Sequence, residues 1–214
     1  MKKMILLISL GLMTMGCQSM YNTAMEKFFG VEKRQLLKGA VESVNKEQKA
    51  AQEQFKDAMT QLKELYAFQG GNLEVVYNKF KASYDDSQSQ ADVVRKRFDN
   101  MENVAKSMFN EWADEINQYT NATFAENSRR QLGETKVRYA ELSQAVRESE
   151  KSMDPVLNQL RDHVLYLKHN LNAAALGTLQ GEGKDIQTQI ETLIQRMNNS
   201  IAEADSFIRA LLKE

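Results

Sequence analysis

The sequence has few of the residues that cross-link small domains, bind structural metal ions or interrupt helices. Its 214 residues include one cysteine, one proline and two histidines. A single cysteine excludes an intrachain disulfide, and so few nitrogen and sulfur ligands argue against a zinc site. One proline allows long uninterrupted helices, because proline is the residue that a helix interior tolerates least.

The chain also lacks an apolar run long enough to span a bilayer, which takes ~20 residues. The apolar run from Met4 to Met13 is shorter than that and follows Lys2 and Lys3. A basic start followed by a short apolar segment is typical of a secretory signal peptide. We therefore predict that residues 1–16 are a signal peptide.

Cys17 directly follows this segment, in the stretch MGCQS. The arrangement resembles the signals of bacterial lipoproteins, in which the cysteine thiol receives a diacylglyceryl group and the chain is cut just before it. We predict lipidation of Cys17 and assign residues 17–30 to a lipid anchor and tether. Thr14 stands where such signals most often have leucine. Two alternatives stay open, ordinary cleavage into the periplasm and an inert buried thiol.

The residue after the cysteine indicates a location. In Gram-negative lipoproteins, aspartate at this position commonly retains the protein in the inner membrane, and this chain has Gln18. By resemblance to that class, we expect the outer membrane, with the protein facing the periplasm. The alternative is a soluble periplasmic protein.

The remaining composition predicts helices. Basic and acidic residues are nearly balanced, 28 against 29, and are interspersed, so we expect no nucleic-acid partner. Apolar residues recur at alternating spacings of three and four in four series, within residues 37–65, 80–112, 132–171 and 186–211. This period is typical of coiled coils. We predict that residues 31–214 form an all-α, elongated antiparallel coiled coil or bundle of three to four long helices.

Three breaks in the pattern delimit these helices. They lie at Gln69–Asn72, at 120–127 and at the glycine-rich 177–184. The predicted helices are 31–68, 73–120, 127–175 and 184–213. Pro155 falls inside the third, where the apolar period continues unbroken, so we predict a kinked continuous helix there rather than a full break.

Polar residues interrupt the apolar series at four positions. Such residues lower stability and fix register or oligomeric state, so they indicate a bundle that self-associates or binds a partner. A homo-oligomer is one expectation from this pattern. The four residues are Gln48, Ser87, Thr135 and Ser149.

The sequence shows no pattern typical of a catalytic, cofactor or metal site. His163 and His169 are six residues apart, and neither has glutamate three positions before it, as di-metal bundles do. The stretch from Gly177 to Asp185 resembles a P-loop only faintly, because its spacing is wrong and Asp185 replaces serine or threonine. We interpret it as a loop between helices and expect a non-enzymatic protein without cofactors.

Two groups of aromatic residues stand out. One surrounds Gly70 and Gly71 and provides either a partner surface or the closure of one end of the bundle; it comprises Tyr66, Phe68, Tyr77, Phe80 and Tyr84. The other follows the anchor and either lies on the bilayer or packs on the bundle; it comprises Tyr21, Met25, Phe28 and Phe29.

Four segments carry a resemblance to a known family. They are MEKFFGVEKR (25–34), FQGGNLEVVYNKF (68–80), FNEWADEINQYTN (109–121) and VLYLKHNLNAAALGTLQGE (164–182). With these segments the chain resembles the bacterial family DUF2959, whose function is unknown. The resemblance implies an exported helical protein, commonly a lipoprotein, and no catalytic residues. We expect a scaffold or adaptor with an envelope protein as partner; the alternatives are a membrane-binding or membrane-shaping protein and a helical sensor or ligand-binding bundle.

Overall fold

The computed structural model describes residues 33–212, apart from the side chains of Glu182 and Lys184. The predicted signal peptide, Cys17, the tether and the Tyr21–Phe29 aromatic group lie outside the described residues. Within 33–212 the chain forms no strand and five helices, which confirms the all-α prediction. The helices are α1 (Lys33–Tyr66), α2 (Leu73–Ile116), α3 (Ala122–Lys151), α4 (Met153–His169) and α5 (Ala173–Leu211).

The helices form an antiparallel four-armed bundle in which α3 and α4 together make the third arm. Helix α1 packs against α2 and α5, and the third arm packs against the same two helices. We call the end with the α1–α2 and α4–α5 turns the far end. The near end is where α1 begins, α2 passes into α3 and α5 ends. At 1.5 Å per residue, the 34 residues of α1 separate the two ends by about 50 Å.

Each turn between arms ends in an asparagine that caps the next helix. The side-chain oxygen of Asn72 accepts from the Glu74 amide at 3.0 Å, and that of Asn121 accepts from the Thr123 amide at 2.9 Å. Such caps satisfy amides that have no intrahelical partner. The cap at Asn121 starts α3 at residue 122, so the polar gap predicted over 120–127 is shorter than expected.

The third predicted break, at 177–184, is wrong. The chain turns at 170–172, where the Asn172 side chain accepts from the Ala175 amide at 3.0 Å, and α5 then runs through all three glycines. Glycine disfavours a helix interior by only ~1 kcal/mol. Burial of Leu176, Leu179 and Ile186 on one side of α5 outweighs that cost. The predicted end at 175 and start at 184 fail for the same reason, whereas the predicted start at 127 fails because Asn121 caps α3.

The third arm is interrupted at one residue. Ser152 keeps helical dihedral angles, φ −75° and ψ −13°, between α3 and α4. Pro155 follows in the first turn of α4 and has no amide hydrogen to donate to the Lys151 carbonyl. The prediction of one continuous helix is therefore not met: α3 ends at Lys151 and α4 begins at Met153.

The bundle core consists of two apolar clusters, one in each half. The far cluster ends at Ala51, Met153 and Met197, and the near cluster begins at Val44, Val146 and Ala204. Between them lie three polar residues that are at most 1% exposed, which we call the polar layer: Gln48, Ser149 and Ser200.

The polar layer joins α1 to α5. The Ser200 hydroxyl donates to Gln48 Oε1 at 2.6 Å, while Gln48 Nε2 is buried and has no hydrogen-bond partner among residues 33–212. One turn along α1, Gln52 Nε2 donates to Asn198 Oδ1 at 2.8 Å. Before the layer, Asn45 Nδ2 donates to Asp205 Oδ1 at 2.7 Å. The predicted seam residues Gln48, Ser87, Thr135 and Ser149 are therefore all buried in the bundle.

Gln48→Met should raise the free energy of unfolding by about 1 kcal/mol, because it removes a buried donor that is not hydrogen-bonded. Ser200 keeps its other acceptor, the Met197 carbonyl at 3.0 Å. Gln52→Met is the matched control and should lower the free energy of unfolding by about 1 kcal/mol, because it deletes a satisfied hydrogen bond. Urea denaturation measures both, and destabilisation by Gln48→Met would contradict this account of the layer.

The glycines of α5 have different roles, although all three lie in the same helix. A Cβ added at Gly183 would lie 2.2 Å from Cε2 of Tyr66, whereas one added at Gly177 or Gly181 meets no atom within 4 Å. Gly183 is therefore the position at which α5 lets the Tyr66 ring approach its backbone.

Gly181→Ala should raise the free energy of unfolding by about 0.5–1 kcal/mol, because alanine favours helix and nothing obstructs it. Gly183→Ala should lower it by about 1–3 kcal/mol, since the new methyl group must displace the Tyr66 ring. Thermal denaturation of the two variants side by side provides the measurement. Equal stabilisation by both substitutions would show that Tyr66 does not pack on Gly183.

Candidate functional site

The far end is built around Tyr66, the last residue of α1. Gln180 Nε2 donates to the Tyr66 carbonyl at 2.5 Å, and the ring of Tyr66 lies 6.2 Å from that of His163, between centroids. On α2, the Tyr77 hydroxyl donates to the Val164 carbonyl at 3.4 Å. These contacts bring the α1–α2 and α4–α5 turns to one end of the bundle.

The structure brings together all five aromatic residues predicted around Gly70 and Gly71. Phe80 and Tyr77 are buried in the far cluster, while Tyr66, Phe68 and Tyr84 pack against it and remain partly exposed. This burial favours the closure of the bundle end over the partner surface for Phe80 and Tyr77. Gly71, with φ +107°, has the backbone conformation that permits the tight turn between α1 and α2.

Four other apolar side chains at the far end point into solvent. They are between 37% and 53% exposed, and they lie at the start of α2, in the last turns of α4 and in the α4–α5 turn. We call them the far-end apolar surface: Val75, Leu165, Tyr166 and Leu171.

The apolar period does not predict this surface, but a run of consecutive apolar residues in the sequence indicates it. Val164, Leu165, Tyr166 and Leu167 are four consecutive apolar residues on one helix. Successive residues on a helix lie about 100° apart, so four in a row cannot all face one core. In the structure Val164 and Leu167 are buried, and the two between them are exposed.

The near end has an open groove of about 410 Å³ beside the start of α1. Trp112 lies in it, donates from Nε1 to the Ser128 hydroxyl at 2.8 Å, and has the Arg34 guanidinium 5.8 Å from its ring centroid. Lys33 forms an ion pair with Glu111 at 2.7 Å, which fixes the start of α1 against the end of α2. Three exposed apolar side chains, the near-end apolar surface, lie at this end: Tyr119, Phe124 and Leu212.

Arg95 carries the main electrostatic connection of the third arm. Its guanidinium contacts Glu150 of α3 at 3.1 Å and Asp154 of α4 at 2.5 Å, on opposite sides of Ser152, and also Asp92 at 2.8 Å. Burial would lower the pKa of Arg95, but these carboxylates together raise it. The cluster therefore connects α2 to both α3 and α4 across Ser152.

The two histidines and the stretch resembling a P-loop do not form a catalytic or ligand-binding site within residues 33–212. His163 is buried and its Nδ1 lies 3.0 Å from the Gln159 carbonyl, whereas His169 is exposed at the end of α4. The stretch resembling a P-loop is helical, so its backbone does not form a loop, and the interpretation as a connection between helices is also wrong. Among the described residues, no group of three or more histidine, cysteine, aspartate or glutamate side chains could hold a metal ion. No helix within 33–212 is apolar over a length that could span a membrane.

Comparison with known proteins identifies the family. A family profile described as "Protein of unknown function (DUF2959)" matches residues 21–211. No curated protein matches the chain. The match covers nearly the whole sequence, and the chain belongs to the DUF2959 family.

Proposed function

We propose that this DUF2959 protein is a non-enzymatic envelope lipoprotein, anchored through Cys17 to the outer membrane and facing the periplasm. In this proposal the bundle is an adaptor that presents its far end to an envelope protein. The observation that carries the proposal is the far-end apolar surface, which lies about 50 Å along the bundle from the start of α1.

Position along the chain supports this orientation. Cys17 precedes Lys33 by 16 residues, and Lys33 is fixed at the near end by its ion pair with Glu111. Sixteen residues span at most about 53–58 Å even when fully extended, so this length limits how far the near end can lie from Cys17. An anchor at Cys17 would thus be attached to the near end, with the far end about 50 Å further along the bundle.

The chemistry of the far end supports a protein as partner. The surface combines a tyrosine with aliphatic side chains, and exposed charges of both signs stand within four residues of it in the sequence, Glu74, Arg161, Asp162 and Lys168. An apolar centre with a mixed polar rim is the usual composition of protein interfaces. The helices beneath it are fixed by the contacts of Tyr66 and Tyr77, so binding would not require them to reorganise.

Site-specific photocrosslinking tests this role. A photoreactive phenylalanine analogue at Leu165 should give discrete crosslinked products in the envelope of cells that express the protein with its native leader. Val137 is the matched control, because it is an exposed apolar residue, 61% accessible, in the middle of α3. The same analogue there should give at least severalfold less product.

A second variant shows whether the apolar surface causes the crosslinking. Val75→Ser combined with Leu171→Ser should reduce the Leu165 product severalfold without lowering helical content, since both side chains are exposed. Equal crosslinking from Leu165 and Val137, or a Leu165 product unaffected by the two serines, would contradict a far-end docking surface.

A further inference from the structure

The near-end apolar surface lies at the end of the bundle where the described chain begins. Tyr119, Phe124 and Leu212 are between 48% and 59% exposed, and they lie on the α2–α3 turn, the first turn of α3 and the end of α5. The start of α1 lies at this same end, beside the groove that Lys33, Trp112 and Tyr119 line. Exposed aromatic and aliphatic side chains therefore occur where the described chain begins.

We infer that this surface is a membrane-docking face: Tyr119, Phe124 and Leu212 insert into the interfacial region of the bilayer that carries the anchor. The inference rests on the lipid anchor of the proposed function and adds a second, reversible contact with the same membrane. Tyrosine is suited to that region because its ring is apolar while its hydroxyl can stay hydrated. Phenylalanine and leucine add apolar surface whose transfer out of water lowers the free energy.

The tether makes weak contacts sufficient. Sixteen residues cannot separate the near end from its anchor by more than about 53–58 Å, so docking becomes an intramolecular step. Covalent linkage at such short range gives effective concentrations of millimolar order at best, and an intrinsic affinity of that order is then enough for substantial occupancy. Three exposed apolar side chains form a small binding surface, but they are sufficient for docking on a membrane to which the chain is already covalently anchored.

The charge around the surface indicates which lipids are required. Lys33 is paired with Glu111, and Arg129 and Arg130 lie near Glu126 in the sequence. This mixture provides little net attraction for anionic lipids, in contrast to polybasic segments. Docking should therefore occur on zwitterionic lipid and should persist at high ionic strength, where exposed charges are screened.

Quenching of tryptophan fluorescence by brominated lipid tests the docking face. The chain from Cys17 onward has one thiol, which can be coupled to a maleimide lipid in phosphatidylcholine vesicles. Trp112→Phe removes the natural tryptophan, and Phe124→Trp then reports the near end. Val137→Trp and Tyr166→Trp are the matched reporters for the middle of the bundle and the far end. Chemical coupling replaces biosynthetic lipidation, so the result is independent of whether cells modify Cys17.

We expect bromination of the acyl chains to quench the Phe124→Trp reporter severalfold more than the Val137→Trp and Tyr166→Trp reporters, in low and high salt. Adding Tyr119→Ser should reduce this quenching. Circular dichroism checks folding, and if Trp112→Phe lowers the helical content, the reporters are measured against the constant signal of Trp112. Equal quenching at all three positions would mean that the bundle lies flat and would overturn the proposal. An unquenched Phe124→Trp reporter, whether solvated or covered by another segment, would overturn it as well.

Discussion

The hydrogen bond that Ser200 donates to Gln48 selects one alignment of α1 against α5, and the positions of the other contacts follow from that alignment. Such a polar layer specifies register at a cost in stability. Apolar stripes with a seven-residue repeat can slide past each other by one repeat and still bury similar surface. The polar layer opposes this, because a slip would place Gln48 against apolar partners and remove the hydroxyl that donates to its Oε1, while Ser200 could still donate to the Met197 carbonyl. The register then brings Gln180 to the Tyr66 carbonyl at one end and Lys33 to Glu111 at the other.

Much of this architecture could be predicted from the sequence, because long helices with a regular apolar period determine their own packing faces. The buried polar positions Gln48, Ser87, Thr135 and Ser149 were identified from the period alone. The break at 177–184 was wrong because glycine is a weak local signal. Whether it ends a helix depends on what packs against it, here the Tyr66 ring on Gly183, 117 residues away in sequence.

The far-end apolar surface was harder to predict for a related reason. The period shows which residues face the core, but exposure at a bundle end depends on where each helix stops and on which arm covers it. Leu171 belongs to the third apolar series and would be buried if the helix continued to 175. It is exposed because the chain turns at 170–172. Membership of the family assigns no role to any residue, so the roles proposed for the two ends are argued from geometry alone. The described chain begins at the near end, and the far end carries apolar side chains about 50 Å along the bundle.

The orientation of this bundle depends on the anchor, and the mass of the N-terminal peptide tests it most directly. The protein should be expressed with its native leader beside the Cys17→Ser variant, the envelope fractionated and the N-terminal peptide weighed. The account predicts a peptide that begins at Cys17 and carries acyl chains, found in the outer-membrane fraction and absent from the variant. An unmodified chain released into the periplasm would contradict it, because neither end of the bundle would then be held at a membrane.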